Sequence, residues 1–222
     1  MAHTRSKALT KRTLALAATE LASRDPTLNS IFQVHGNPPL WRRPQGFPTL
    51  VHIILEQQVS LRSGKAMFDR LESTIIPFAP ETFLSYGYEF LRSLGVTRQK
   101  AAYLLHLAEL LVNGQLNLTR LSRMPDEDAR QALMNVKGIG AWSADVYLLM
   151  AMCRADIWPA GDLALAVAAK ELFKLNQRPS PIELEILAER WRPHRAVAAR
   201  MLWQYYLATR PKKKVTTTAI SK

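Results

Sequence analysis

Lys137-Gly138-Ile139-Gly140 interrupts a helical pattern and forces two helices to turn sharply on each other. Upstream, Pro125 and Asp126 open a segment in which Ala129, Leu133, Met134 and Val136 recur at helical spacing, and downstream Trp142–Met152 forms a second run. Two glycines around one bulky side chain, Ile139, allow a tight turn that brings backbone N–H groups close to a ligand. The second helix begins there, so its unpaired N–H groups and positive dipole end favour an anion. Lys137 adds a cation. Taken alone, the four residues fit a plain helix–helix turn better than a ligand site.

A carboxylate follows. After Asp156-Ile157-Trp158-Pro159-Ala160-Gly161 comes Asp162, then the apolar helical run Leu163–Phe173, which places Asp162 at a helix N-terminus as a cap. Capping and chemistry are compatible there, because the positive end of a helix suits a carboxylate.

No stretch sustains the alternation of a half-buried strand, so the expected fold is all-α. Pro80–Leu84 and Tyr86–Ser93 read as two separate short helices. The Pro-rich link Asn37–Pro48 and the segment Asp156–Gly161 mark boundaries. They suggest a middle helical lobe at 47–155, with a helix-hairpin-helix at about 126–152. Residues 1–46 pair with 156–211 as the other lobe, a cleft lies between the two, and 212–222 is a basic tail. The ends, Met1–Arg5 and Lys212–Lys222, read as disordered basic arms.

Thirty Lys and Arg against eighteen Asp and Glu give a net charge of +12, which attracts a polyanion such as DNA or RNA. Without an apolar run of about eighteen residues or a leader pattern, the expectation is a soluble intracellular protein with no membrane partner. Cytoplasm or nucleoid is expected, or the nucleus in a eukaryote. Cys153 is the one cysteine, which excludes an internal disulfide framework and a four-cysteine cluster; among Met150, Ala151 and Met152 it reads as a core thiol. The histidines at 3, 35, 52, 106 and 194 are too scattered for a metal site or a Ser-His-Asp order, so no metal is expected and each reads as structural or solvated.

Gly138-Ile139-Gly140 followed by Asp162 resembles the signature of the helix-hairpin-helix DNA glycosylases. Ile54–Ala66, Leu94–Glu109 and Glu189–Trp203 make the chain most similar to the 3-methyladenine DNA glycosylase II branch, with the likeness running from about Asp25 to Tyr206. The resemblance implies base excision repair. Members that cut the strand carry a lysine two residues after the second glycine, where this chain has Trp142, and Lys137 lies on the wrong side of the hairpin to replace it. The implied enzyme is monofunctional: it hydrolyses the N-glycosidic bond of alkylated purines, of the 3-methyladenine and 7-methylguanine type, in double-stranded DNA and leaves an abasic site. It needs no cofactor, although the resemblance allows a monovalent cation on the hairpin carbonyls, and a monomer is expected.

The same resemblance assigns parts. Asp162 is the catalytic carboxylate, which stabilises an oxocarbenium-like sugar and orients water. Trp142 and Trp203 line the base pocket, with Val146 where the family has a tyrosine and Tyr147 beside it pointing elsewhere. Phe32, Trp41 and Phe47 are unranked candidates for a further pocket aromatic. Lys137, Gly138, Ile139 and Gly140 hold DNA. Gln58 is the wedge that fills the gap left by the flipped nucleotide, with Arg62 and Lys65 on phosphate, although Gln57 and Gln58 also read as a solvated helix end. Two alternatives stand: a non-catalytic helix-hairpin-helix protein that binds damaged DNA, and a glycosylase for an oxidised or deaminated base.

Overall fold

The computed structural model describes residues 7–210, so the terminal arms at Met1–Arg5 and Lys212–Lys222 lie outside the described residues. The described chain is helical. In order the helices are α1 Lys11–Arg24, α2 Pro26–His35, α3 Phe47–Glu56, α4 Leu61–Thr74, α5 Pro80–Ser93, α6 Arg98–Val112 and α7 Leu118–Leu121. They continue with α8 Asp126–Met134, α9 Ala141–Met150, α10 Leu163–Leu172, α11 Pro181–Ala188, a 3-10 turn at Glu189–Trp191, and α12 Arg195–Thr209. Among the described residues there is no strand, only an isolated bridge between Ala8 and Arg154. None of these helices is long and apolar enough to cross a membrane.

Local chemistry starts most of these helices. Thr10 and Thr13 close a capping box on α1, and Ser180 and Glu183 close another on α11, each satisfying two orphan donors at once. Asp25 caps α2 ahead of Pro26, while its second oxygen accepts the buried Trp191 indole N–H at 2.8 Å. That bond ties the start of the chain to its end. The two short helices expected at Pro80–Leu84 and Tyr86–Ser93 are both present within α5, as two helical pieces that meet at Gly87, where the backbone leaves the helical region at φ 73°.

Packing divides the helices into two groups. Helices α1, α2, α10, α11 and α12 pack on one another; α3, α4, α5, α6, α8 and α9 do the same. Arg200, fully buried on α12, pins the junction by donating to the carbonyls of Leu40, Ala196 and Leu149 at 2.7–2.9 Å. Burial pushes its guanidinium down to about 10, so it stays charged at neutral pH and all three carbonyls bind a cation. The lone cysteine, Cys153, is buried with its thiol pushed up by desolvation, as befits a core residue.

A second buried charge makes stability depend on pH. Asp145 on α9 is 4% exposed and accepts Arg130 Nε at 2.7 Å, yet desolvation outweighs that partner and raises its carboxyl from 3.8 to about 6. Between about pH 4 and 6 the folded protein therefore keeps a proton that the unfolded chain has lost, and stability falls as pH rises through that window. Asp145→Asn should remove this dependence. In urea unfolding, the wild type should lose on the order of 1–3 kcal/mol relative to the variant across the window; parallel curves would contradict the assignment.

Candidate active site

A cleft of about 1770 Å³ runs along the junction of the two groups, lined by Trp41, Gln58, Gly140, Trp142, Asp162 and Trp203 among others. Asp162 is its chemical centre. As the cap of α10 it accepts Leu165 N–H on Oδ1 at 3.0 Å, and the indole of Trp203 on α12 donates to the same oxygen at 3.0 Å. The Trp142 indole, from the first turn of α9, donates to Oδ2 at 2.9 Å. Three helices therefore fix one carboxylate. Oδ2 has one of these donors against two on Oδ1, so it keeps the larger capacity to accept from water.

Val146 lies one turn beyond Trp142 and forms part of the cleft wall. Tyr147 points elsewhere: it is fully buried, and its hydroxyl accepts Gly46 N–H at the start of α3. The structure also separates the three aromatic candidates. Phe47 packs in the core against Phe83 at 4.9 Å and Phe32 packs against that core, whereas Trp41 lines the cleft with its ring edge-on to Trp203 at 6.4 Å.

The hairpin between α8 and α9 needs its glycines for different reasons. Gly138 has φ +94°, and a Cβ there would lie 2.3 Å from the Tyr103 ring, so only glycine fits. Gly140 has an ordinary backbone and nothing within 4 Å of its Cβ direction. As the N-cap of α9 it brings no side chain to the first N–H groups, which leaves them for an incoming acceptor. Lys137 is exposed on the cleft rim. Ile139 contributes to the cleft lining, while its side chain is 4% exposed and packs in the core and its N–H donates to the Val136 carbonyl, so it shapes the hairpin.

Gln57 was hidden in the sequence as a helix end. Its Nε2 donates to the Gly138 carbonyl and to Ser143 Oγ, both at 2.8 Å, which ties the hairpin to the turn between α3 and α4. Lys100 on α6 holds the other side of that turn by donating to the carbonyls of Leu55 and Gln57, with its ammonium pushed down by desolvation. Gln58 is thereby presented, exposed and in the left-handed region at φ 57°, on the cleft surface. Arg62 lines the same surface. Lys65 pairs with Asp69 on α4 and lies outside the cleft-lining residues, so the structure does not bring it to the site. Among the described residues no group of three or more His, Cys, Asp or Glu side chains is placed to hold a metal ion.

An all-helical chain with a glycine hairpin beside a helix-capping carboxylate defines a class, and the profile of the HhH-GPD superfamily of base excision DNA repair proteins matches residues 51–193. The chain belongs to that superfamily. It is 26% identical over 80% of its length to a Bacillus subtilis protein with the provisional name DNA-3-methyladenine glycosylase YfjP, and it spans 65% of that relative. Among solved structures it is similar to DNA-3-methyladenine glycosidase from Bacillus halodurans, at 28% identity and TM-score 0.74, covering 86% of this chain and 88% of that one. The fold is shared with Schizosaccharomyces pombe 3-methyladenine DNA glycosylase Mag1, solved in complex with abasic DNA, at 24% identity and TM-score 0.80 over 89% of this chain and all of that one.

Proposed function

We propose that the protein is a monofunctional DNA glycosylase of base excision repair, which hydrolyses the N-glycosidic bond of alkylated purines in double-stranded DNA. The observation that carries this reading is Asp162, held by two indoles and a backbone amide in a cleft whose rim bears Lys137 and Arg62. A pure DNA binder has no use for a carboxylate there, since it would repel phosphate. Beside an extruded nucleotide, a fixed negative charge stabilises the positive charge that develops on the sugar as the base departs. Its open acceptor capacity orients the attacking water. A purine alkylated at N3 or N7 is already cationic and leaves without an added acid, while the tryptophan faces favour a cation over a neutral base.

Water is the nucleophile in this reading. Trp142 stands where strand-cutting relatives place a lysine, and of the cleft lysines Lys100 is committed to two carbonyls while Lys137 lies before the hairpin. No cofactor enters the scheme. A monovalent cation on the hairpin would share carbonyls that already accept from Gln57 and Ile139, each with a second lone pair. We take the enzyme to act as a monomer. The α9 N-terminus and Lys137 grip a phosphate, and Gln58 fills the vacated stack.

Two variants test the assignment. Trp142→Phe keeps an aromatic wall but removes one donor to Asp162, so kcat should fall roughly tenfold with KM within about twofold. An equal loss in both would mean that the ring, not the N–H, matters. Lys137→Ala should weaken binding to all duplexes alike and lower the salt slope by about 1, as read by anisotropy titrations at several salt concentrations. Across duplexes holding single lesions, release of N3- and N7-methylated purines should exceed release of oxidised or deaminated bases; the reverse order would overturn the substrate class.

A further inference from the structure

The turn that carries Gln58 is built against its own backbone preference. The Glu56 carbonyl accepts the Val59 N–H at 3.5 Å, Gln57 sits at φ −58° and ψ 129°, and Gln58 follows at φ 57°. That is the pattern of a type II turn, whose third position is left-handed and is normally filled by glycine. A glutamine there keeps a side chain and accepts strain, and such a residue persists only when its surroundings over-determine it. Gln57 and Lys100 fasten the second position of the turn. The first position, Glu56, has a fastening of its own.

Glu56 is buried, and both oxygens of its carboxylate accept from the Arg43 guanidinium, at 2.8 and 2.9 Å. His52, one turn back on α3, places Nε2 3.4 Å from the same carboxylate. The Arg43 backbone N–H donates to Met150 O, at the end of α9, at 3.0 Å, which makes the arginine a fixed post. On the other side of Glu56 lies α4. A Cβ on Gly64 would fall 2.8 Å from Glu56 Cγ and 3.0 Å from its Cα, so α4 can close on Glu56 only at a glycine. A buried ion pair adds little stability over an apolar pair of the same shape, whereas a two-pronged guanidinium fixes the direction of a carboxylate. We propose that the Arg43–Glu56 pair, closed by Gly64, is a positioning device for this turn, which holds Gln58 in its left-handed conformation on the cleft before DNA arrives. Arg43 and Glu56 touch no base and act through Gln58. The inference rests on the reading that Gln58 fills the vacated stack.

The test is a double-mutant cycle on the full chain, read by the fluorescence of 2-aminopurine placed beside a 2′-fluoro N7-methylguanine nucleotide in duplex DNA. The fluorine blocks hydrolysis, so the signal reports unstacking without turnover. Gln58→Ala should lower the unstacking equilibrium roughly tenfold. Arg43→Met with Glu56→Met leaves no unpaired buried charge, and should cost a similar factor in the wild type but less than about twofold in the Gln58→Ala background. Affinity for undamaged duplex should stay within about twofold of wild type, because the pair removed is net neutral. If that double variant does not fold, Arg43→Lys, which keeps the charge but not the two-pronged grip, should show the same background dependence with a smaller loss. Equal losses in both backgrounds, as a role confined to stability would give, would overturn the proposal, and so would wild-type unstacking by Gln58→Ala or by the double variant. Base release from methylated duplex judges the glycosylase reading separately. Coupled unstacking without base release would sink the glycosylase and leave the positioning pair; base release with uncoupled unstacking would do the reverse.

Discussion

Asp162→Asn should lower the single-turnover rate of base release by roughly 10²–10³-fold, the usual cost of removing one pre-organised electrostatic group. The fold should survive. Asparagine is as good an N-cap as aspartate, and its Oδ1 can still accept Leu165 N–H and the Trp203 indole. Its amide would meet the Trp142 indole donor to donor, which loses one bond and costs about 1 kcal/mol. Activity and stability therefore separate in this variant. A melting curve close to wild type with base release nearly abolished is the expected pair of results; retained release would remove Asp162 from the chemistry.

Gly138→Ala should be the most destabilising single methyl in the hairpin. The new Cβ would fall 2.3 Å from the Tyr103 ring in a backbone held at φ +94°, so overpacking and left-handed strain add. A loss on the order of 2–5 kcal/mol follows. DNA affinity should fall with it, because any shift of Gly138 moves the carbonyl that Gln57 holds. Gly140→Ala provides the contrast, with open space at its Cβ and an unstrained backbone. Its stability should stay within about 1 kcal/mol of wild type, while affinity for duplex DNA drops because the methyl stands where a phosphate would approach. If the two variants lost stability equally, the hairpin geometry would be wrong.

What the sequence reveals here is what is local. Asp162 is a cap residue next to the N–H group it satisfies, so adjacent letters suffice to place it at a helix start. The hairpin is legible for the same reason, since two glycines flank a single side chain. The direction of Ile139 is not, because it depends on which helices close over it. Gln57 and Gly138 lie 81 positions apart and their bond exists only after α3 has packed on α9, so Gln57 reads as an ordinary polar helix end. Trp41 could not be ranked against Phe32 and Phe47 because its backbone strain and its anchors on Arg200, Met150 and Glu56 are tertiary facts. Lys65 is exposed on α4, where it pairs with Asp69 outside the cleft lining, a placement that only the packed helix shows.

We propose that this cleft removes a base with water. The wild-type protein should be incubated with duplex DNA carrying N7-methylguanine, with and without borohydride, while free base, strand integrity and covalent adduct are followed in the same reaction. Release of the free base, an uncut strand until alkali is added, and no trapped adduct are the predicted results; a borohydride-trapped protein–DNA adduct, or no free base at all, would contradict it.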